Sequence, residues 1–155
     1  MPELNQPAPD FTLKNHLHEE VTLSGLRGKN VILAFYPAAF TGICEKELCT
    51  FRDAMDSLND ANATVYGVSV DSPFANAVFA ATNQFSFDLL SDCGHVAIKA
   101  YDAEFPDFAG IPGYTVAKRA VYVVDSEGTL RYSWVAPNPG VEPDYEEVKS
   151  FVRNL

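Results

Sequence analysis

Apolar and polar positions along the chain switch between two patterns. Residues 30–36 (Asn-Val-Ile-Leu-Ala-Phe-Tyr) are apolar at nearly every position. Residues 64–70 and 119–124 read the same way, as strands buried on both faces of a sheet. Between the first two runs, Ile43, Leu48, Phe51, Met55 and Leu58 recur every three to five residues with charges between them. That period predicts a helix over residues 41–58. Asp71-Ser72-Pro73 is a helix start, a capping side chain ahead of a proline suited to the first helical position, and the helix runs to about Gln84. Residues 87–90 read as a short strand and 95–101 as a short helix. Asp125-Ser-Glu-Gly128 is a hairpin turn, with a return strand over 129–134. A helix over 144–152 closes the chain. Near the start, residues 10–13 and 20–23 form two short strands around a polar turn.

This order places strands and helices in alternation, then a hairpin and a last helix. It predicts one α/β domain over residues 1–155, a mixed central sheet with helices on both faces. Residues 102–118 are rich in proline, glycine and aromatics, and read as a long loop.

The chain has 155 residues, 47% of them hydrophobic, enough for a real core. Its net charge of −10 argues against nucleic acid or an anionic membrane as partner. No apolar run reaches membrane-spanning length. The first residues, Met-Pro-Glu-Leu-Asn, carry neither the basic nor the apolar segment of a secretory signal. Three cysteines form no disulfide framework, which fits a reducing compartment and a cytoplasmic location. No His, Cys or Asp grouping has metal-ligand spacing. Cys-x-x-Cys, Gly-x-Gly-x-x-Gly, the phosphate loop and Gly-x-Ser-x-Gly are all missing, so no cofactor is expected.

The candidate chemistry lies in Pro37-Ala-Ala-Phe-Thr41-Gly-Ile-Cys44-Glu-Lys-Glu47-Leu-Cys49. An apolar strand ends, a turn follows, and a helix opens with Cys44 in its first turn. Unpaired N–H groups and the positive end of the helix dipole favour an anion there, and the thiolate is the nucleophilic form of cysteine. Thr41 and Glu47 each stand three residues from Cys44, on the same helix face. Thr41 offers a hydroxyl to the sulfur or to a bound oxygen. An unpaired Glu47 would oppose the thiolate, so a cation is required. Arg119, at the lip of an otherwise apolar strand, is the candidate, since its five donors reach carboxylate and sulfur together. Arg52 and Arg131 fall mid-helix and mid-strand, as solvated charges do. Pro37 stiffens the turn and Phe40 is placed to shield the sulfur.

The pattern Pro37-x3-Thr41-x2-Cys44-x2-Glu47 after a Phe-Tyr-ended strand resembles the active-site signature of peroxiredoxins. Gly67-Val-Ser-Val-Asp-Ser72, Leu90-Ser-Asp92 and Arg119-Ala-Val-Tyr-Val-Val-Asp125 resemble the family's later segments, in order. Cys44-x4-Cys49 looks like the bacterioferritin-comigratory or Q-type group. Phe-Thr-Gly-Ile ahead of Cys44 looks like the one-cysteine, AhpE-like group.

The resemblance implies a thioredoxin-like fold and reduction of hydrogen peroxide or alkyl hydroperoxides. It implies Cys44 as the peroxidatic cysteine, with Pro37, Thr41 and Arg119 completing its pocket, and Cys49 as the resolving cysteine. A thioredoxin-like or other thiol then acts as reductant. Five helical residues separate Cα atoms by about 8.6 Å, against a disulfide limit of about 6.8 Å, so that pairing requires the first helical turn to unwind. Cys93 or an outside thiol is the alternative resolver. A thioredoxin-type oxidoreductase or a redox sensor are the competing functions, and a cysteine hydrolase lacks a histidine partner. The family implies a monomer or a homodimer. An apolar rim of Phe40, Phe105, Phe108 and Tyr114 favours the dimer.

Overall fold

The computed structural model describes residues 1–155. β1 (Thr12–Asn15) and β2 (Glu20–Thr22) make an antiparallel hairpin around the polar turn. Then follow β3 (Asn30–Phe35), α1 (Gly42–Asp53), α2 (Met55–Asp60), β4 (Ala63–Ser69), α3 (Pro73–Asn83), β5 (Asp88–Ser91) and α4 (Val96–Ala100). A small ribbon of β6 (Glu104–Phe105) and β7 (Val116–Ala117) precedes β8 (Ala120–Val124), β9 (Leu130–Val135) and α5 (Tyr145–Arg153). Seven strands form one sheet in the order β2-β1-β5-β4-β3-β8-β9. β3, β4 and β5 run parallel, while β1 and β8 join them antiparallel, giving the expected mixed sheet.

The unbroken apolar run of β3 now has its reason. Ile32 and Ala34 face one core, which holds Leu48 and Phe51 of α1, Leu58 of α2, Phe79 of α3 and Val148 and Val152 of α5. Leu33 and Phe35 face the other, with Val68, Ile98 of α4, Tyr101 and Tyr122. A strand covered on both faces has no polar side to alternate with. Helices therefore lie on both faces.

Three expectations are corrected. The helix predicted over 41–58 is two helices, broken at Ala54 (φ −94°, ψ −1°). Met55 and Leu58 continue the apolar spacing because both helices pack on the same core. No proline or glycine marks the bend, so periodicity alone could not reveal it. The loop over 102–118 is ordered. β6 and β7 pair Glu104 with Ala117, and Phe108 N–H donates to the Tyr114 carbonyl (2.9 Å). The Phe108 ring packs edge-on against Phe105 and Tyr114, which leaves all three half-buried. Of the proposed apolar rim, only Phe40 is exposed, at 51%.

α3 starts where the sequence marks it: Ser72 accepts a hydrogen bond from Ala75 N–H (3.1 Å), with Pro73 next. It ends at Gln84, in the left-handed region (φ 54°, ψ 44°). From its buried face, Asn76 accepts from the Tyr36 hydroxyl (2.7 Å) and donates to Ser91 Oγ (3.0 Å). This polar bridge ties α3 to the ends of β3 and β5. Asn76→Ala leaves the buried Tyr36 hydroxyl without its partner and should cost about 1–3 kcal/mol in urea unfolding. A change within about 0.3 kcal/mol would show that water replaces the amide.

Candidate active site

β3 delivers the chain into a short, tightly held turn. Tyr36 N–H still donates to the Val68 carbonyl of β4 (3.0 Å), and Pro37 and Ala38 are buried. Ala39 N–H donates to Asp71 Oδ2 (2.8 Å), which also accepts from Ser69 Oγ (2.8 Å). Phe40 follows with φ 65°, a left-handed conformation rare for a bulky residue and costly by about 1–3 kcal/mol. Its ring lies on Phe79 (centroids 5.0 Å apart). Thr41 caps α1 in extended conformation (φ −86°, ψ 144°), and its hydroxyl donates back to the Ala38 carbonyl (2.8 Å). That bond uses the hydroxyl hydrogen and leaves the oxygen as an acceptor.

Cys44 is thus the third residue of α1, within the turn whose N–H groups have no helical partner. Its side chain is 0% exposed. Arg119 reaches it from the mouth of β8: Nη2 lies 3.3 Å from Cys44 Sγ and Nη1 3.2 Å from Glu47 Oε1. The same guanidinium donates through Nε (3.1 Å) and Nη2 (2.9 Å) to the Pro139 carbonyl. Arg119 is only 3% exposed, so these three partners replace its water. One cation, one sulfur and one carboxyl group are brought together across the face that α1 presents to β8.

Glu47 is fully buried, and its second oxygen, Oε2, has no partner. Burial pushes its carboxyl up to about 8, against the pull of Arg119 and with a push from Glu142. The segment joining β9 to α5 closes over this group. Pro139 holds Arg119, and Glu142 pairs with Lys46 of α1 (3.0 Å) while accepting from the Tyr145 hydroxyl (2.6 Å). A cavity of about 150 Å³ lies behind Arg119, between Phe105, Lys118, Val135 and Pro139. Cys44 does not line it.

The other two thiols stand apart. Cys49 lies in α1 but turns to the C-terminal end of α3, where its Sγ donates to Asn83 Oδ1 (3.6 Å). Burial pushes this thiol up, Arg52 pulls it down, and Glu45 and Asp53 add a smaller push upward. Cys93 is exposed, with Sγ 3.6 Å from the Asp71 carbonyl. All three are free thiols, and Cys44 and Cys49 belong to one unbroken helix.

The sequence pattern of the AhpC/TSA family matches residues 4–133. The chain belongs to the AhpC/TSA family. Alkyl hydroperoxide reductase E of Mycobacterium tuberculosis is 40% identical over 128 residues, 81% of this chain and 80% of that protein. The putative peroxiredoxin bcp of Coxiella burnetii is 36% identical over 132 residues, 85% of this chain and 87% of that protein. The crystal structure of the peroxidoxin BcpB of Mycobacterium tuberculosis superposes with a TM-score of 0.86 at 25% identity, covering 100% of this chain and 99% of that one. The fold is therefore the thioredoxin-like fold of peroxiredoxins, and the chain is an oxidoreductase that reduces peroxide with thiols.

Against that family setting, the geometry brings Cys44, Glu47 and Arg119 together and sets Pro37 and Thr41 in the turn beside them. It leaves Cys49 on another face and Phe40 against Phe79. Arg52 donates to the Asn83 carbonyl and to Asp53, and Arg131 pairs with Asp125. Sequence reasoning missed Asp71, which holds the turn, and the Pro139 carbonyl, which holds Arg119. The run Pro137-Asn-Pro-Gly140 is a turn signal that marks the second, but nothing in it says where its carbonyl points.

Folded Glu47 keeps its proton to about pH 8, whereas the unfolded chain releases it in the ordinary carboxylate range. The stability this contributes is full below that range and is lost as pH rises through it to the folded value. Glu47→Gln should flatten the decline of the urea midpoint between about pH 5 and about pH 9. Parallel curves for the two proteins would show that Arg119 keeps Glu47 ionised.

Proposed function

We propose that Cys44 is the peroxidatic cysteine and that the enzyme reduces hydrogen peroxide and alkyl hydroperoxides. The observation that carries this reading is the position of Arg119, with one nitrogen on Cys44 Sγ and another on Glu47. The thiolate attacks the near oxygen of the peroxide. A sulfur–oxygen bond forms, the O–O bond breaks, and the far oxygen leaves as hydroxide or alkoxide and takes up a proton. Cys44 becomes a sulfenic acid. Arg119 and the free N–H groups of the first turn of α1 meet the negative charge that builds on the leaving oxygen. Thr41 Oγ1, with its hydrogen on Ala38, accepts from the hydroperoxide hydrogen and fixes which oxygen faces the sulfur. Pro37 keeps this wall rigid, and Glu47 orients Arg119.

Cys49 then resolves the sulfenic acid as an intramolecular disulfide, and a thioredoxin-like thiol reduces that bond. Alkyl hydroperoxides stand beside hydrogen peroxide in this reading because of the name of the mycobacterial relative. A second reading, a one-cysteine enzyme resolved by an outside thiol, draws on the turn of Cys49 away from Cys44.

Intact mass after one equivalent of hydrogen peroxide separates these readings. Under the proposed cycle the wild type loses two hydrogens and Cys49→Ser gains one oxygen. A gain of one oxygen in both means an external resolver. No change in either overturns the assignment of Cys44. Arg119→Ala should lower the second-order rate constant for peroxide by about 10²–10³-fold while the protein stays folded. An unchanged constant would remove Arg119 from the chemistry.

A further inference from the structure

Asn83 occupies the last turn of α3 and is nearly buried, at 9% exposure. Its Nδ2 donates to the Phe79 carbonyl one turn back (3.1 Å), which fixes the amide plane and aims Oδ1 outward from α3. The oxygen so aimed meets Cys49 Sγ at 3.6 Å. The backbone carbonyl of the same residue accepts from Arg52 Nη1 (2.7 Å). Cys49 and Arg52 are three residues apart on α1, so they stand one above the other on one face. Two successive turns of α1 are thus fastened to a single residue of α3.

Both fastenings lie on the segment that has to move. Cys49 cannot reach Cys44 while α1 is helical, since five helical residues hold their Cα atoms about 8.6 Å apart. The Cys49 thiol also donates its hydrogen to Asn83, and a donating S–H is the protonated, unreactive form.

We propose that Asn83 is a positioning residue for the resolving step, a latch that holds Cys49 docked and protonated on α3 until α1 opens. This rests on Cys49 being the resolving thiol. On opening, the Cys49 S–H leaves Asn83 Oδ1 and gives its proton to water. The thiolate attacks the sulfenic sulfur of Cys44. The S–S bond forms, the S–O bond breaks, and the departing hydroxide takes a proton and leaves as water. A tight latch lengthens the life of the sulfenic acid. During that time a second peroxide can carry Cys44 on to the sulfinic acid. Asn83 therefore sets the division between a productive disulfide and irreversible oxidation.

The test is rapid-quench mass spectrometry of the full chain with hydrogen peroxide. It reads separately the rate of sulfenic acid formation, the rate of its conversion to disulfide, and the sulfinic fraction at high peroxide. Asn83→Ala should leave the first rate unchanged, raise the second by about two- to tenfold, and lower the sulfinic fraction in proportion. Arg52→Met, which cuts the neighbouring fastening and keeps Asn83, should shift the second rate the same way and serves if Asn83→Ala does not fold. Leu130→Ala loses core packing on the other side of the sheet and should leave the second rate where it is. A wild-type conversion rate in both latch variants overturns the proposal. An equal acceleration in Leu130→Ala also overturns it, by assigning the effect to general loosening. If the wild type forms no Cys44–Cys49 disulfide at all, the reading of Cys49 as resolver fails first, and the latch with it.

Discussion

A guanidinium taken out of water has to be given partners for its donors, and this fold is arranged around meeting that demand. Arg119 brings three structural elements to one point: the sulfur and the Glu47 carboxyl of α1, the mouth of β8, and a carbonyl from the segment between β9 and α5. Losing any one of them leaves a buried charge short of a bond, which costs more than an ordinary surface pair contributes. The cation therefore serves two purposes at once. It fastens α1 to the sheet, and it fixes positive charge against the one sulfur that the helix start already favours as an anion.

Under the proposed cycle, α1 carries two demands that oppose each other. Attack on peroxide needs the first turn intact, because its N–H groups and Arg119 define the pocket. Resolution within the chain needs that same turn undone. The fold answers with fastenings of unequal kind. On the Cys44 side they are buried and include the full charge of Arg119. On the Cys49 side they are a weak thiol donor and one half-exposed arginine held at a helix end. In the proposed cycle, oxidation alters the sulfur that Arg119 Nη2 meets, so chemistry at Cys44 loosens the stronger side and leaves the weaker side as the remaining hold.

How much of this was readable in advance depends on range. β3, β4 and β8 were legible because burial on both faces leaves an apolar run that few other elements produce. The start of α3 was legible because Ser72 and Pro73 act within one turn. Cys44, Thr41 and Glu47 were legible as a local spacing, and Arg119 as an oddity, a charge beginning an apolar strand. The bend at Ala54 was not, since both helices use one core and neither glycine nor proline stands there. The ribbon of β6 and β7 was hidden because two-residue strands have no period. Asp71, Pro139 and Asn83 were hidden for another reason. Their roles depend on a carboxylate, a carbonyl and an amide meeting a chain segment far away in sequence, and residue type alone carries no such address.

The complete burial of Cys44 has one more consequence. A sulfur with no open surface is screened by size before it is screened by reactivity. Even a slender oxidant needs a small local opening to reach it, and bulky electrophiles and protein disulfides need a larger one. The same cysteine thus ranks its attackers by breadth, and the rank order is written in the packing of the turn rather than in the thiol itself.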